Sequence, residues 1–143
     1  FETKELQHLT VAVHLDLLDG LESNDAAVRW LADFPRCNGI ITVRHRLVSI
    51  IRKHDMLSII RLFLHDGLSV ERGVAMLNQA KPDVIEVLPA IASTITQKQL
   101  SALSAPLIAG GLIKDLSVIE SVLKSGCKAV STSKKQLWQY NNL

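Results

Sequence analysis

Short runs of β-branched and apolar residues return along this chain at a nearly constant interval, with helical patterns filling the gaps. Six runs read as strands: Val11–Leu18, Gly39–Val43, Leu57–Leu64, Asp83–Pro89, Pro106–Gly110 and Ala129–Ser133. Their starts lie about 24 residues apart, roughly the length of a strand, a turn and a three-turn helix. The runs are apolar nearly throughout, which calls for parallel pairing with both sheet faces covered, since a parallel connection needs a long crossover.

Between the runs the period changes to that of a helix. Ala27, Trp30, Leu31 and Phe34 are expected to share one buried face, as are Leu47, Ile50, Ile51 and His54. A third stripe, Leu116, Ile119, Val122 and Leu123, follows Asp115 and stops before Gly126. Two α/β architectures fit this alternation: an open doubly wound sheet, and a (β/α)8 TIM-type barrel that lacks its first strands. No Gly-x-Gly-x-x-Gly loop follows the first run, where Leu18-Asp19-Gly20-Leu21 is the nearest substitute. Polar residues instead gather at the C-terminal ends of successive strands, where barrels place their sites, so the barrel is favoured.

Composition narrows the class. With 48% hydrophobic residues and no apolar run approaching the ~20 residues of a membrane helix, the 143 residues read as one soluble domain. Two cysteines do not make a secreted disulfide scaffold, and a reducing cytoplasm is expected. The net charge of +2 hides an acidic front, residues 1–35, and a basic remainder. The chain opens on Phe1 with no charged-then-apolar leader, and a segment N-terminal to it is expected to be absent.

Alternation along each strand assigns faces. Val11, Val13, Leu15 and Leu17 are expected to point toward the helices, leaving His14 and Asp16 toward the barrel axis. Ile85 and Val87 point outward and Glu86 inward. Arg61, the one charge in its run, is costly there unless paired or facing a wet cavity. Asp16, Arg61 and Glu86 are therefore expected to converge in one pocket, as a ligand site or as a buried ion-pair network that closes the barrel.

Ile108-Ala109-Gly110-Gly111-Leu112 puts two glycines at a strand end before a helix, where backbone N–H groups are open to an anion; a tight turn is the other reading. One unit later, Val130-Ser131-Thr132-Ser133 precedes a helix expected to begin near Lys134. The loops after the last two barrel strands commonly form a phosphate site. Arg44, Arg46, Arg52, Lys53 and Arg61 crowd residues 44–61 against the single acid Asp55. Arg46, Ser49, Arg52 and Lys53 would make a polyanion-binding stripe, or a merely solvated face. Aromatic residues, at 4%, are too few for stacking platforms along single-stranded bases. No lysine stands at a strand end for a Schiff base, and Cys37 and Cys127 have no second cysteine at metal spacing, so zinc is not expected. His14-x-Asp16-x-x-Asp19 offers too few carboxylate oxygens for a dedicated hard-cation site, though Mg²⁺ bridging to a bound phosphate is compatible with it.

Five segments in order, His14-Leu15-Asp16-Leu17-Leu18-Asp19-Gly20, Gly39 to Arg44, Asp83 to Pro89, Pro106 to Gly111, and Ala129 to Ser133 running on to Leu137-Trp138, resemble the glycerol uptake operon antiterminators. These are glycerol-3-phosphate-responsive regulators of bacteria. The resemblance implies a (β/α)8-type barrel of which this single domain, residues 1–143, lacks the first two βα units. It implies that glycerol 3-phosphate is bound as effector, with no other cofactor, and that the ligand-bound protein acts on the leader mRNA of a glycerol-catabolic gene to prevent termination. Ala90 stands where relatives are expected to carry glycine. A small phosphorylated polyol would set its phosphate at Gly110, Gly111, Thr132 and Ser133 and its hydroxyls at Asp16 and Glu86. Arg61 would organise the carboxylates, and Arg44 is a second candidate for phosphate or carboxylate pairing. Arg46, Arg52 and Lys53 are the candidate RNA contacts. No membrane association is expected; a homo-oligomer is compatible with the sequence. The runner-up is a phosphosugar isomerase or lyase using Asp16 or Glu86 as general base, and the third reading a catalytically inert barrel that binds a protein.

Overall fold

A computed structural model describes residues 9–140. Six parallel strands pair in the order in which they occur: β1 Ala12–His14, β2 Gly39–Thr42, β3 Leu57–Phe63, β4 Val84–Leu88, β5 Leu107–Gly110 and β6 Ala129–Ser131. A doubly wound sheet reverses its strand order at a switch point, so this unbroken order excludes it. Right-handed crossovers that always advance in one direction keep every helix on the same face, and the sheet curls into a half-barrel. The helices are α1 Asp25–Ala32, α2 Val48–Lys53, α3 Gly67–Ala80, α4 Ala92–Ile95, α5 Gln97–Leu100 and α6 Leu116–Lys124.

The core lies between the sheet's convex face and the helices. At its centre Ile60, Leu62, Ile85 and Val87 meet Val70 and Leu77 of α3 and Leu100 of α5, all buried. A second cluster joins Leu15 and Ile40 to α1 and α2, and a third joins Ala109 to Ile119 and Val122 of α6. Helix starts are fixed by side chains accepting orphan amides. Asp66 accepts from Ser69 N–H at 2.7 Å, with the Ser69 hydroxyl reaching back to Asp66 N–H at 3.1 Å. Asn24 caps α1 and Asp115 caps α6 in the same manner.

The first run departs from expectation. It leaves the sheet after His14 as a 3-10 turn, Leu15–Leu17, closed by Leu18 N–H on the Leu15 carbonyl at 3.3 Å. Two-residue alternation ends where the extended backbone ends, and a 3-10 turn repeats every three residues. Leu15 is fully buried against the helices, but Leu17 is 72% exposed, so the outward set stops at Leu15.

The buried face of α1 is Ala27, Val28 and Leu31. Trp30 and Phe34 lie on its exposed flank, where their rings meet edge to face at 4.6 Å. On α2 the burial falls on Leu47, Val48 and Ile51, with His54 exposed and Ile50 half-buried. The helix expected to begin near Lys134 is present after β6 and is of the 3-10 type, Lys135–Tyr140. α6 follows its expected stripe, with Ile119 and Val122 buried and Gly126 at φ 104° behind it.

Candidate functional site

The concave face carries the side chains that alternate away from the helices: His14 on β1, Ile59 and Arg61 on β3, Glu86 on β4, Ile108 on β5 and Ser131 on β6. Arg61 and Glu86 are register partners across the β3–β4 pair. The Arg61 Nε–H donates to Glu86 Oε2 at 2.7 Å, and Glu86 is 4% exposed. Its other oxygen, Oε1, accepts a short hydrogen bond from the Ser131 hydroxyl. Between them stands Gly110, where a Cβ would lie 2.5 Å from Ser131 Oγ and 2.6 Å from Glu86 Oε1. Glycine is needed there because the carboxylate–hydroxyl contact passes through the space a side chain would fill. Ser131 was not singled out by sequence, although alternation with Ala129 would have placed it inward.

Arg61 and Glu86 therefore pair directly, and Asp16, whose charge acts on His14 together with theirs, makes its own bonds elsewhere. Because Asp16 sits in the 3-10 turn, its carboxylate reaches across to the end of β2. The Thr42 hydroxyl donates to Oδ1 at 3.1 Å and the Val43 N–H to Oδ2 at 2.9 Å. The Arg44 Nε lies 3.6 Å from Oδ1, so Arg44 pairs with a carboxylate of its own protein. Burial alone would raise the Asp16 pKa, but the Val43 amide, the Thr42 and Ser23 hydroxyls and nearby His14 outweigh it and hold the carboxyl below its ordinary value. Asp16 clasps the tops of β1 and β2 together.

His14 is the inward residue of β1, as its place in the alternation predicts. Both ring nitrogens are shielded from solvent and have no hydrogen-bond partner among the described residues. Burial and the Arg61 charge lower its pKa below the ordinary 6.5, against the opposing pull of Asp16 and Glu86. At neutral pH it is a neutral imidazole with one donor and one acceptor.

At the C-terminal ends of β5 and β6 two loops face each other. Gly111 and Leu112 both have positive φ, 74° and 55°. The Gly111 carbonyl accepts from Ala90 N–H at 3.2 Å, tying this turn to the end of β4; Ala90 is fully buried. In the β6 loop, the Trp138 indole N–H donates to the Thr132 carbonyl at 2.8 Å and the Lys134 N–H to Thr132 Oγ1 at 3.2 Å. Ser133 is exposed. The Lys134 ammonium donates to the Lys114 carbonyl at 2.8 Å and so bridges the two loops, a cation the sequence reading did not select. The Asp115 carboxyl caps α6 through Val118 N–H at 3.2 Å. Positive character at this end therefore comes from loop amides and Lys134 rather than from an open helix N-terminus.

The basic stripe is exposed, as expected, but divided. Arg46 lies in the turn after β2. Arg52 and Lys53 lie at the far end of α2, where Arg52 Nη1 donates to the Lys81 carbonyl at 3.3 Å and its Nε lies 3.6 Å from Asp83. Asp83 in turn holds Ser58, accepting from its N–H at 2.9 Å and its hydroxyl at 2.6 Å.

A singly wound parallel sheet with a polar concave face, ending in paired glycine- and hydroxyl-bearing loops, defines a barrel-like α/β protein with its polar groups inside. The chain belongs to the glycerol-3-phosphate responsive antiterminator family, whose profile it matches over residues 2–138. It is 39% identical to the glycerol uptake operon antiterminator regulatory protein from Listeria monocytogenes str. 4b F2365, with TM-score 0.84 over 92% of this chain and 71% of that one. A glycerol uptake operon antiterminator-related protein from Thermotoga maritima MSB8 is 28% identical, with TM-score 0.81 over 91% of this chain and 73% of the other. The uncharacterized protein YgcP of Escherichia coli (strain K12) is 29% identical over 126 residues, 88% of this chain; that stretch is 66% of YgcP, so the chain spans about two thirds of this curated relative. The curled sheet alone recurs in a putative deoxyribose-phosphate aldolase from Coccidioides immitis, with TM-score 0.66 at 12% identity over 90% of this chain and 63% of that one. Among the described residues no helix is long and apolar enough to cross a membrane.

Proposed function

We propose that this protein is a glycerol-3-phosphate-responsive antiterminator that binds RNA in the cytoplasm and is not an enzyme. The observation that carries the reading is the family match over residues 2–138, joined to the chemistry at the ends of β5 and β6. In this reading Gly110, Gly111, Thr132 and Ser133, with Lys134 beside them, receive the phosphate, and the polyol end extends toward Arg61 and Glu86. Ligand binding then shifts the protein toward the state that engages the leader transcript, by as much as its affinities for the two states differ. The exposed Arg46, Arg52 and Lys53 supply phosphate-backbone contacts.

The same protein is a (β/α)8 barrel in one domain, of which five consecutive βα units and a sixth strand lie among the described residues. In support, exposed Leu18, Trp30 and Phe34 line an apolar groove beside β1 and α1, where a neighbouring βα unit would pack. Against the phosphosugar enzyme, each carboxylate oxygen of Asp16 and Glu86 already accepts a hydrogen bond from its own protein, which favours the ionised form and makes it a weaker base. A general base needs a lone pair aimed at substrate.

Calorimetric titration with glycerol 3-phosphate tests the ligand: Gly111→Asp, which puts a carboxylate in the anion cradle, and the milder exposed Lys134→Ala should both weaken binding. Unchanged affinity in both would overturn the placement. Gel shifts of leader RNA with and without the ligand test the gating, which equal RNA affinity would remove. The triple replacement of Arg46, Arg52 and Lys53 should flatten the salt dependence of RNA binding.

A further inference from the structure

Glycerol 3-phosphate has two ends, and the charged residues of the concave face suit only one of them. Arg61 is paired with Glu86, and each Glu86 oxygen already accepts a hydrogen bond from the protein. An anion gains little beside a guanidinium already paired with a carboxylate, so the middle of the half-barrel suits an uncharged, hydrogen-bonding group. At the β1 edge of the same face, His14 has both ring nitrogens buried and both unpartnered among the described residues. Leaving a buried donor and a buried acceptor unmatched is destabilising, and a site built that way rejects ligands that cannot supply partners. A hydroxyl is both donor and acceptor, so vicinal hydroxyls complement an imidazole in either tautomer.

We propose that His14 is the specificity-determining residue of the effector site: its ring nitrogens hydrogen-bond the hydroxyls of the polyol, so that the protein selects a phosphorylated diol over a plain alkyl phosphate. This rests on the ligand reading given above. The position on β1 matters, because His14 ends the strand two residues before Asp16, which clasps β1 to the top of β2. Ligand contact with His14 would therefore pull on the strand pair that leads through Arg44 into the exposed basic segment.

The test is a two-by-two calorimetric titration of wild type and His14→Phe with glycerol 3-phosphate and propyl phosphate, which shares the phosphate and the three-carbon chain but has no hydroxyls. Wild type should prefer glycerol 3-phosphate by about tenfold or more, and His14→Phe should bind both with nearly equal affinity. Retention of the preference by His14→Phe overturns the role of His14 and leaves the phosphate site standing. Equal binding of both compounds by wild type does the same. Binding of neither compound by wild type removes the ligand reading itself and this inference with it. Should His14→Phe fail to fold, imidazole ¹⁵N shifts of wild type decide: they should move with glycerol 3-phosphate and stay with propyl phosphate, and identical spectra overturn the proposal.

Discussion

The middle of the sheet and its β1 edge are built from similar residues and end in opposite states. At the middle, β3 and β4 have a strand on each side and α3 behind them, and Ile60, Leu62, Leu77, Ile85 and Val87 are almost wholly removed from water. At the edge, β1 has β2 on one side among the described residues. There Leu18, Trp30 and Phe34, with Val13 and Cys37, line an apolar groove of about 300 Å³. Burial thus follows neighbours rather than residue type. The same comparison holds for polar groups: in the middle, Glu86 is buried with a partner on each oxygen, whereas at the edge His14 has buried nitrogens without partners among the described residues.

The largest effect should come from breaking the central pair. Glu86→Ala leaves the Arg61 guanidinium without its carboxylate and Ser131 without its acceptor, and is expected to cost about 3–5 kcal/mol in urea unfolding. Replacing both partners, as Arg61→Met with Glu86→Leu, should recover most of that loss, because the cost lies in the orphaned charge. A Glu86→Ala cost below about 1 kcal/mol would mean that water already reaches the pair.

Next comes the direct contrast of middle with edge. Leu77→Ala removes a side chain 1% exposed against Leu62 and Val87's cluster and should cost about 2–5 kcal/mol. Trp30→Ala removes a larger side chain that is 53% exposed. It should cost only about 0.5–1.5 kcal/mol, chiefly its edge-to-face contact with Phe34. Equal losses in the two variants would show that the edge is covered in solution, and would sharpen the case for a packing neighbour there.

How much of this was legible depended on whether a feature is local. Six strands and the α6 stripe follow from period and spacing, and Arg61 and Glu86 announced themselves as charges inside apolar runs. Their direct pairing needed only adjacent strands in parallel register. The role of Asp16 was not legible, because a three-residue turn after His14 resets the alternation that had aimed Asp16 at the axis. Ser131 reaches Glu86 across Gly110, a contact two strands wide that no local pattern carries. Arg52 looked like one member of a stripe until the fold brought the start of β4, with Asp83, beneath it.

The smallest effect is the dependence of stability on pH through His14, and it turns on the same edge. In the folded protein, burial and the Arg61 charge lower the His14 pKa, with Asp16 and Glu86 opposing, so the unfolded chain takes up the proton first as pH falls below about 6.5. Stability from this group is therefore whole above that pH and declines as pH drops toward the lower folded value. The lowered pKa values of Asp16 and Asp83 act in a separate window, withdrawing stability only as pH falls below the ordinary carboxylate value of 3.8. Urea midpoints measured between pH 7.5 and 5 should fall for wild type and fall less for His14→Gln, which keeps hydrogen-bonding capacity but carries no titrating ring. Parallel curves for the two proteins would show that His14 is as well solvated at the edge of the folded sheet as in the unfolded chain.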